Sequence, residues 1–537
     1  MSIPHLAPQG TKTLLYVHDK PFICLAGEAH NSDSSSPEYM QGIWQYADDL
    51  GMNTVLLPAT WEMVEPEEGV FDFSVPEKLI LQAREWGKKI IFLWFGSFKN
   101  AECTYTPAWV KTDIARFPRA QIVKGKNKAG RPIGANSPYT VPYSSLTYLP
   151  GEGMRADAKA FAAFMAFLKE VDEEENTVVA VQAENETGLL GAAREQSDAA
   201  DAAFAGQVPA DFAAYMKAHT GTMKPDVKEA VENGAAAGTW EEVFGPVAEE
   251  IFSAYHVASY VNFVAQAGKD VYPLPMFANC WLVKPEEKPG NYPSGGPVSR
   301  VHEVWDHCAP AIDVYCPDIY VPFFFDVCDD YSRRQPLAIP ECATHAYCAP
   351  RLVTVIGHYH ALCYAPFGFD DIGKPFTAMQ SFLFGVDVTD PALKTPQNKE
   401  EYGQAARLLQ ALMPFITNAV GTSDLDASCA EKDAMATFTM GKTAVNAIFK
   451  SPMVPRTDGY CLAVRDGDEI YVMGNGCSLQ LTSADPDNDC LDIVKAEELV
   501  LTDDGKLIPR RRFNGDETAT LGFNAPGVIR LTTFVYR

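Results

Sequence analysis

The stretch 177–188, TVVAVQAENETG, decides the fold. Its apolar run, Val178 to Val181, does not alternate with polar residues, and it ends abruptly in Gln182, Glu184, Asn185 and Glu186. A strand covered on one face alternates; an unbroken apolar run is expected of a strand buried on both faces, as in a closed parallel sheet. Upstream, Phe161, Phe164, Met165 and Leu168 recur at i, i+3, i+4 and i+7, which predicts a helix with one apolar stripe. The same helix-then-strand unit recurs on both sides. Strands are predicted within 21–30, 53–61, 89–97, 274–282, 312–321, 336–345 and 361–369. With 177–186 they make eight, so residues 1–375 are expected to form an α/β (β/α)8 TIM barrel.

Two regions depart from that repeat. Residues 187–270, between the fourth and fifth strands, are Ala-rich, helical in spacing and carry Trp240, Tyr255 and Tyr260. A plain βα connection is far shorter, so a helical insertion is expected, as a lid over the barrel mouth or as padding outside it. After 375 a helical connector (376–420) leads into 421–537, where short strand-like runs alternate with turn signals. Asp-Gly and Asn-Gly pairs at 458–459, 466–467 and 475–476 carry tight-turn chemistry, and the segment reads as a C-terminal β-sandwich. The run Arg510-Arg511-Arg512 reads as a solvated strand edge.

Composition narrows the function. The 537 residues carry 44 basic and 70 acidic side chains, a formal charge of −26. Such a surface repels phosphate backbones and anionic lipid, which speaks against nucleic-acid and membrane partners. No apolar stretch approaches a membrane span and the N-terminus lacks a signal-peptide pattern. Thirteen cysteines, an odd number with several in strand-like runs, suit buried thiols and a cytoplasmic location. None has CxxC spacing, so no metal site is expected. A homo-oligomer built through the β domain is compatible with the sequence.

The chemistry lies at the strand ends, where a barrel assembles its reaction site. Glu186 ends the fourth strand and Glu341 the seventh. Two carboxyl groups facing each other across a bound sugar are what glycosidic cleavage requires: one protonates the leaving oxygen while the other attacks or stabilises the oxocarbenium-like carbon. Strand alternation puts Glu184 and Glu186 on one side unless it breaks at the strand end, which would let Asn185 and Glu186 both reach substrate. A pyranose has an apolar face and a rim of hydroxyls, so aromatic and planar polar residues are the expected partners. Candidates are Glu28, His30, Asn31, Trp61, Lys99, Asn100, Glu102, Asn279, Trp281, Tyr315, Asp318, Tyr320 and Phe369. Trp61 could instead close a loop and His30 could be a core histidine. Lys99, after a hydrophobic strand, needs a carboxylate or a substrate hydroxyl. Trp281 is the best aromatic platform, and one of Tyr315 and Tyr320 is expected to orient the nucleophile.

These residues sit in familiar surroundings. QAENETG (182–188), LAGEAHNSDSSSPEYM (25–40), WEMVEPEEGVFDF (61–73), LWFGSFKNAECTYTPAWVKTDIARFPR (93–119), ANCWL (278–282), YCPDIYVP (315–322), PECATH (340–345) and APFGFDDIG (365–373) together resemble glycoside hydrolase families 35 and 42, mostly β-galactosidases. The likeness is nearest to a family 35 branch with a C-terminal β domain. It covers the whole barrel, and the β domain matches less distinctively. The resemblance implies Glu186 as acid/base, Glu341 as nucleophile of a retaining double displacement, and Asn185 as hydrogen-bond partner of the sugar 2-hydroxyl. Thr187 departs from the pattern, since many members carry an aromatic residue there. The expected activity is exo-cleavage of a terminal β-linked sugar, foremost galactose, from an oligosaccharide or glycoside, with no cofactor. Other sugars, namely β-glucoside, β-glucosaminide and α-L-arabinopyranoside, share the mechanism. A non-catalytic sugar-binding barrel is the rival of another class, and the presence of both carboxylates argues against it.

Overall fold

The computed structural model describes residues 2–122, 145–383, 394–450 and 457–537. Its central element is one eight-stranded parallel sheet: β1 (Cys24–Glu28), β2 (Thr54–Thr60), β3 (Lys89–Phe95), β4 (Val178–Ala183), β5 (Met276–Trp281), β6 (Val314–Asp318), β7 (Ala338–Ile339) and β8 (Cys363–Tyr364). The strand order is β7-β8-β1-β2-β3-β4-β5-β6, chain order permuted cyclically, which is the order of a (β/α)8 barrel. Each strand falls within a predicted stretch. Every residue of β4 is buried, as its unbroken apolar run requires.

The chain divides into two compact units. The first comprises Met1–His5, His30–Gln41 and Leu56–Val321. Here the helix Glu152–Asp172 lays the predicted stripe against the sheet: Phe161 lies 5.4 Å from the Trp94 ring, and Phe164 meets Phe92 edge-on at 5.4 Å. Helices Asp198–Phe204, Ala210–Ala218, Pro225–Asn233 and Trp240–Phe244 follow β4. Ser197 caps the first by accepting from Ala200 N–H, and Thr239 with Glu242 forms a reciprocal cap on the last. Trp240 and Tyr255 pack with Phe212, at 6.0 and 4.9 Å from its ring, so these aromatics build the insertion's own core. The final helix of the predicted excursion, Ala248–Lys269, is the crossover to β5. A Cβ at Gly268 would lie 2.4 Å from the Phe161 ring, so only glycine lets this helix close on Glu152–Asp172.

The second unit comprises Leu6–Ala29, Gly42–Val55 and Pro322–Arg537. It holds β1, β7, β8, the helix Lys399–Ala419, and a six-stranded and a four-stranded antiparallel sheet. Phe438, Met440 and Val445 from the smaller sheet pack with Val472, Ile529 and Leu531 from the larger in one buried cluster, so the C-terminal domain is a sandwich. Of the three turn signals, Asp466-Gly467 makes a hairpin between Tyr460–Asp466 and Glu469–Asn475, with Gly467 at φ 59°. Asn475-Gly476 carries the chain from one sheet to the other. Gly459 is needed for close approach, because a Cβ there would lie 2.3 Å from the Gly476 carbonyl oxygen. The basic run belongs to the edge strand Leu507–Arg512, where Arg511 pairs with Glu498 at 2.8 Å. All thirteen cysteines are free thiols. Among the described residues no helix is long and apolar enough to cross a membrane.

Candidate active site

β4 stops at Ala183, and the next three residues change the backbone's course. Glu184 and Glu186 both have positive φ, 59° and 43°, a region that side chains other than glycine rarely adopt. Strand alternation therefore breaks, and the two glutamates do not share a side. Glu184 turns into the protein, where its Oε2 accepts the Phe98 N–H at 2.8 Å. Glu186, 8% exposed, turns toward β6, and one of its carboxylate oxygens lies within 4.8 Å of one of Asp318.

The Glu186 main chain is held at both ends. Its N–H donates to Asn279 Oδ1 at 2.9 Å, and its carbonyl accepts the Ala101 N–H at 3.0 Å. Asn279, on β5, donates in turn to Asp318 Oδ2 at 2.8 Å. The β5–β6 register places Trp281 opposite Asp318, with Trp281 partly exposed. Asn185 is buried; its N–H donates to the Phe98 carbonyl at 3.1 Å and its Oδ1 accepts from Lys99 Nζ at 3.0 Å. Lys99 also lies 4.8 Å over the Phe95 ring. An amide oxygen and an aromatic face are thus among the groups that meet the ammonium. Lys99 and Glu102 exchange main-chain hydrogen bonds at 2.8 and 3.0 Å across a tight turn whose inner residues, Asn100 and Ala101, have φ of 52° and 56°. Gly188 is required because a Cβ would lie 2.7 Å from the Pro293 backbone.

Other candidates in this unit are placed differently. The Trp61 ring is fully enclosed: Nε1 donates to Glu65 Oε2 at 2.9 Å and the ring meets Trp109 edge-on at 5.7 Å. The Tyr315 hydroxyl donates to the exposed Asp306 at 3.2 Å, on the helix His302–Cys308, while Asp318 faces Asn279. Tyr320 lies two residues beyond β6, partly exposed. The His30 N–H donates to Asp33 Oδ2 at 3.1 Å, and both His30 and Asn31 are partly exposed.

In the second unit, Glu341 lies two residues past β7 and is 6% exposed. The next residue, Cys342, accepts the Phe367 N–H at its carbonyl at 2.9 Å, which fixes the chain beyond β7 against the chain beyond β8. Glu28 ends β1 fully buried, and its carbonyl accepts the Gly368 N–H at 2.8 Å. Phe369 is enclosed as well: a Cβ at Gly27 would lie 2.5 Å from its ring, so that glycine admits the phenylalanine.

Sequence reasoning missed Asp157. It is fully buried on the helix Glu152–Asp172, accepting from Trp94 Nε1–H and from Ser97 N–H, each at 2.8 Å. The signal was available, since an aspartate four residues before Phe161 stands on the predicted apolar stripe. Glu184, passed over as the outer glutamate of the motif, is pushed well above the usual carboxylate range by its burial and then by the Asp157 charge beside it.

Residues 402–523 match a domain of unknown function, DUF5597. No curated protein matches the chain. Among solved structures, the chain is similar to a β-galactosidase from the psychrophilic Marinomonas ef1, at 12% identity and a TM-score of 0.45, over 74% of this chain and 60% of that one. It is similar to a cold-adapted β-galactosidase from Rahnella sp. R3 at 12% identity and 0.43, over 74% and 57%. The chain thus spans less than two thirds of either β-galactosidase. Endo-glycoceramidase II from Rhodococcus sp. matches at 12% identity and 0.40, over 98% of this chain and 99% of that one.

Proposed function

We propose that this protein is a retaining exo-glycoside hydrolase that removes a terminal β-linked galactose, with Glu186 as acid/base and Glu341 as nucleophile. One observation carries the reading: each glutamate is almost wholly buried, and each stands just past the carboxyl end of a strand of the same parallel sheet. Burying a carboxyl group costs free energy, and a barrel keeps such groups at that end for chemistry. The sequence likeness to β-galactosidases supplies the sugar.

In the reaction the Glu341 carboxylate attacks the anomeric carbon while Glu186 passes its proton to the glycosidic oxygen. The aglycone leaves and a glycosyl ester forms on Glu341. Glu186, now ionised, takes a proton from water, whose oxygen displaces Glu341 and releases the sugar with its configuration retained. Retention calls for carboxyl groups about 5 Å apart. Asp318 places a second carboxyl group beside that of Glu186. Asn185, whose amide oxygen accepts from Lys99, is the hydrogen-bond partner of the sugar 2-hydroxyl in this reading.

The test is a panel of nitrophenyl glycosides followed by trapping with a 2-fluoro galactoside. The β-galactoside should be the best substrate, and mass spectrometry should locate the adduct on Glu341. Glu341→Gln should fold and lose turnover. Wild-type-like hydrolysis by that variant, or an adduct on another residue, refutes the assignment.

A further inference from the structure

The carboxyl groups of Glu184 and Asp157 are fully buried and stand outside the double displacement described above. Their hydrogen bonds are unequal. Both oxygens of Asp157 accept N–H donors, Oδ1 from Trp94 and Oδ2 from Ser97. Glu184 accepts the Phe98 N–H through Oε2, whereas no donor meets its Oε1 among the described residues. The two carboxyl groups take the N–H groups of adjacent residues, Ser97 and Phe98, and so are buried neighbours. Two buried carboxylates in contact repel strongly, and one proton between them removes the repulsion and satisfies the orphan oxygen. The donor pattern says where that proton sits. Asp157, with both oxygens occupied as acceptors, is the ionised partner; Glu184 is the acid.

The surrounding chain is shaped to this pair. A Cβ at Gly96 would lie 2.6 Å from Asp157 Oδ1 and 2.4 Å from Trp94 Nε1, so the backbone after β3 can reach the carboxylate only as glycine. Ser97 is fixed from a third side by its hydroxyl, 2.7 Å from the buried Tyr260 hydroxyl on Ala248–Lys269. From this anchored loop, the Phe98 carbonyl takes the Asn185 N–H, Lys99 takes the Asn185 amide oxygen, and the Ala101 N–H takes the Glu186 carbonyl.

We propose that Glu184, protonated and donating to Asp157, forms with it a carboxyl–carboxylate pair that positions the Asn185-Glu186 turn. Glu184 is a positioning residue that acts through its neighbours. Its kinetic consequence rests on the glycosidase reading, but the paired proton does not.

The experiment compares Glu184→Gln with Glu184→Leu. A glutamine amide can accept the Phe98 N–H and donate to Asp157, as the neutral acid does; leucine can do neither. Gln should keep kcat within about threefold of wild type, while Leu should lower kcat about 10²-fold with KM little changed, most on aryl glycosides with poor leaving groups, where proton donation limits the rate. Hydrogen exchange supplies a readout independent of activity: amides in 97–101 and 184–187 should exchange faster in Leu and unchanged in Gln. Infrared spectra supply another that needs no Leu variant, because wild type at about pH 8 should show the carbonyl band of a buried protonated carboxyl group that Gln lacks. Absence of that band in wild type, or equal exchange and kinetics in Gln and Leu, overturns the proposal. If no aryl glycoside is hydrolysed while the band and the exchange contrast are found, the glycosidase reading falls and the pair stands.

Discussion

Asn279 grips Glu186 by its main chain: Oδ1 accepts the Glu186 N–H at 2.9 Å while Nδ2 donates to Asp318 at 2.8 Å. One amide thereby fixes a backbone held at φ 43° and the carboxylate beside the side chain it carries.

Asn279→Ala should therefore disturb more than packing. It leaves a buried N–H and a buried carboxylate oxygen without this partner, and one such loss costs about 1–3 kcal/mol. Urea unfolding should report a loss in that range, with a larger relative fall in turnover than in substrate affinity. Asn279→Asp should be worse than alanine, because it places a third carboxyl group next to Asp318 and cannot donate when ionised. If aspartate proves as stable as wild type near neutral pH, the amide is not the link described here.

The Lys99–Asn185 contact makes a claim about one hydroxyl. Lys99→Met keeps the aliphatic stem against Phe95 and removes the ammonium that holds the Asn185 oxygen. If Asn185 presents its N–H groups to the 2-hydroxyl, kcat/KM should fall about 10²-fold on a galactoside and far less on the 2-deoxygalactoside. Equal losses on both substrates would mean that Lys99 supports the loop and nothing more.

How much of this was readable in the residues depends on where the information lies. The eight strands were legible because burial on both faces demands unbroken apolar runs, and Glu186 and Glu341 follow from where those runs stop. The break in alternation at 184–186 was not, because left-handed backbone at a glutamate is imposed by tertiary hydrogen bonds from 98, 101 and 279. Tyr315 carried a signal that went unused: three residues from Asp318 on a strand, it belongs to the opposite face, and its hydroxyl duly meets Asp306. Trp61 did too, since Glu65 follows at helical spacing and takes its indole N–H. The Glu184–Asp157 pair joins residues 27 positions apart, and its proton exists only because folding excludes water from both.

Away from the candidate site, Arg351 is 1% exposed and pairs with Glu431 through Nε at 2.9 Å and Nη2 at 2.5 Å, with its guanidinium 4.1 Å from the Phe324 ring centroid. A buried bidentate pair contributes little net stability but is costly to break from one side. Arg351→Met should destabilise by about 3–5 kcal/mol, and Arg351→Met with Glu431→Leu by clearly less. Additive losses in that double-variant cycle would show that the two charges do not depend on each other.

Acid should unfold the protein by a route that histidines set. Burial holds His360 and the aromatic-packed His256 down to about 4, and His345 well below its usual range, with the Arg351 charge adding to the effect. A histidine whose pKa is depressed on folding stays neutral in the folded state while the unfolded chain takes up a proton. The associated stability is complete above the unfolded value of about 6.5 and is lost as pH falls toward 4. His256 and His360 should each contribute about 2–3 kcal/mol to that loss. Melting temperature should thus drop steeply between about pH 6.5 and 4, and His256→Phe, which keeps a ring among Trp240, Phe252 and Tyr255 but cannot take up a proton, should flatten the drop. A variant that follows the wild-type profile in parallel across that window would mean that position 256 binds its proton equally well in the folded and unfolded chain.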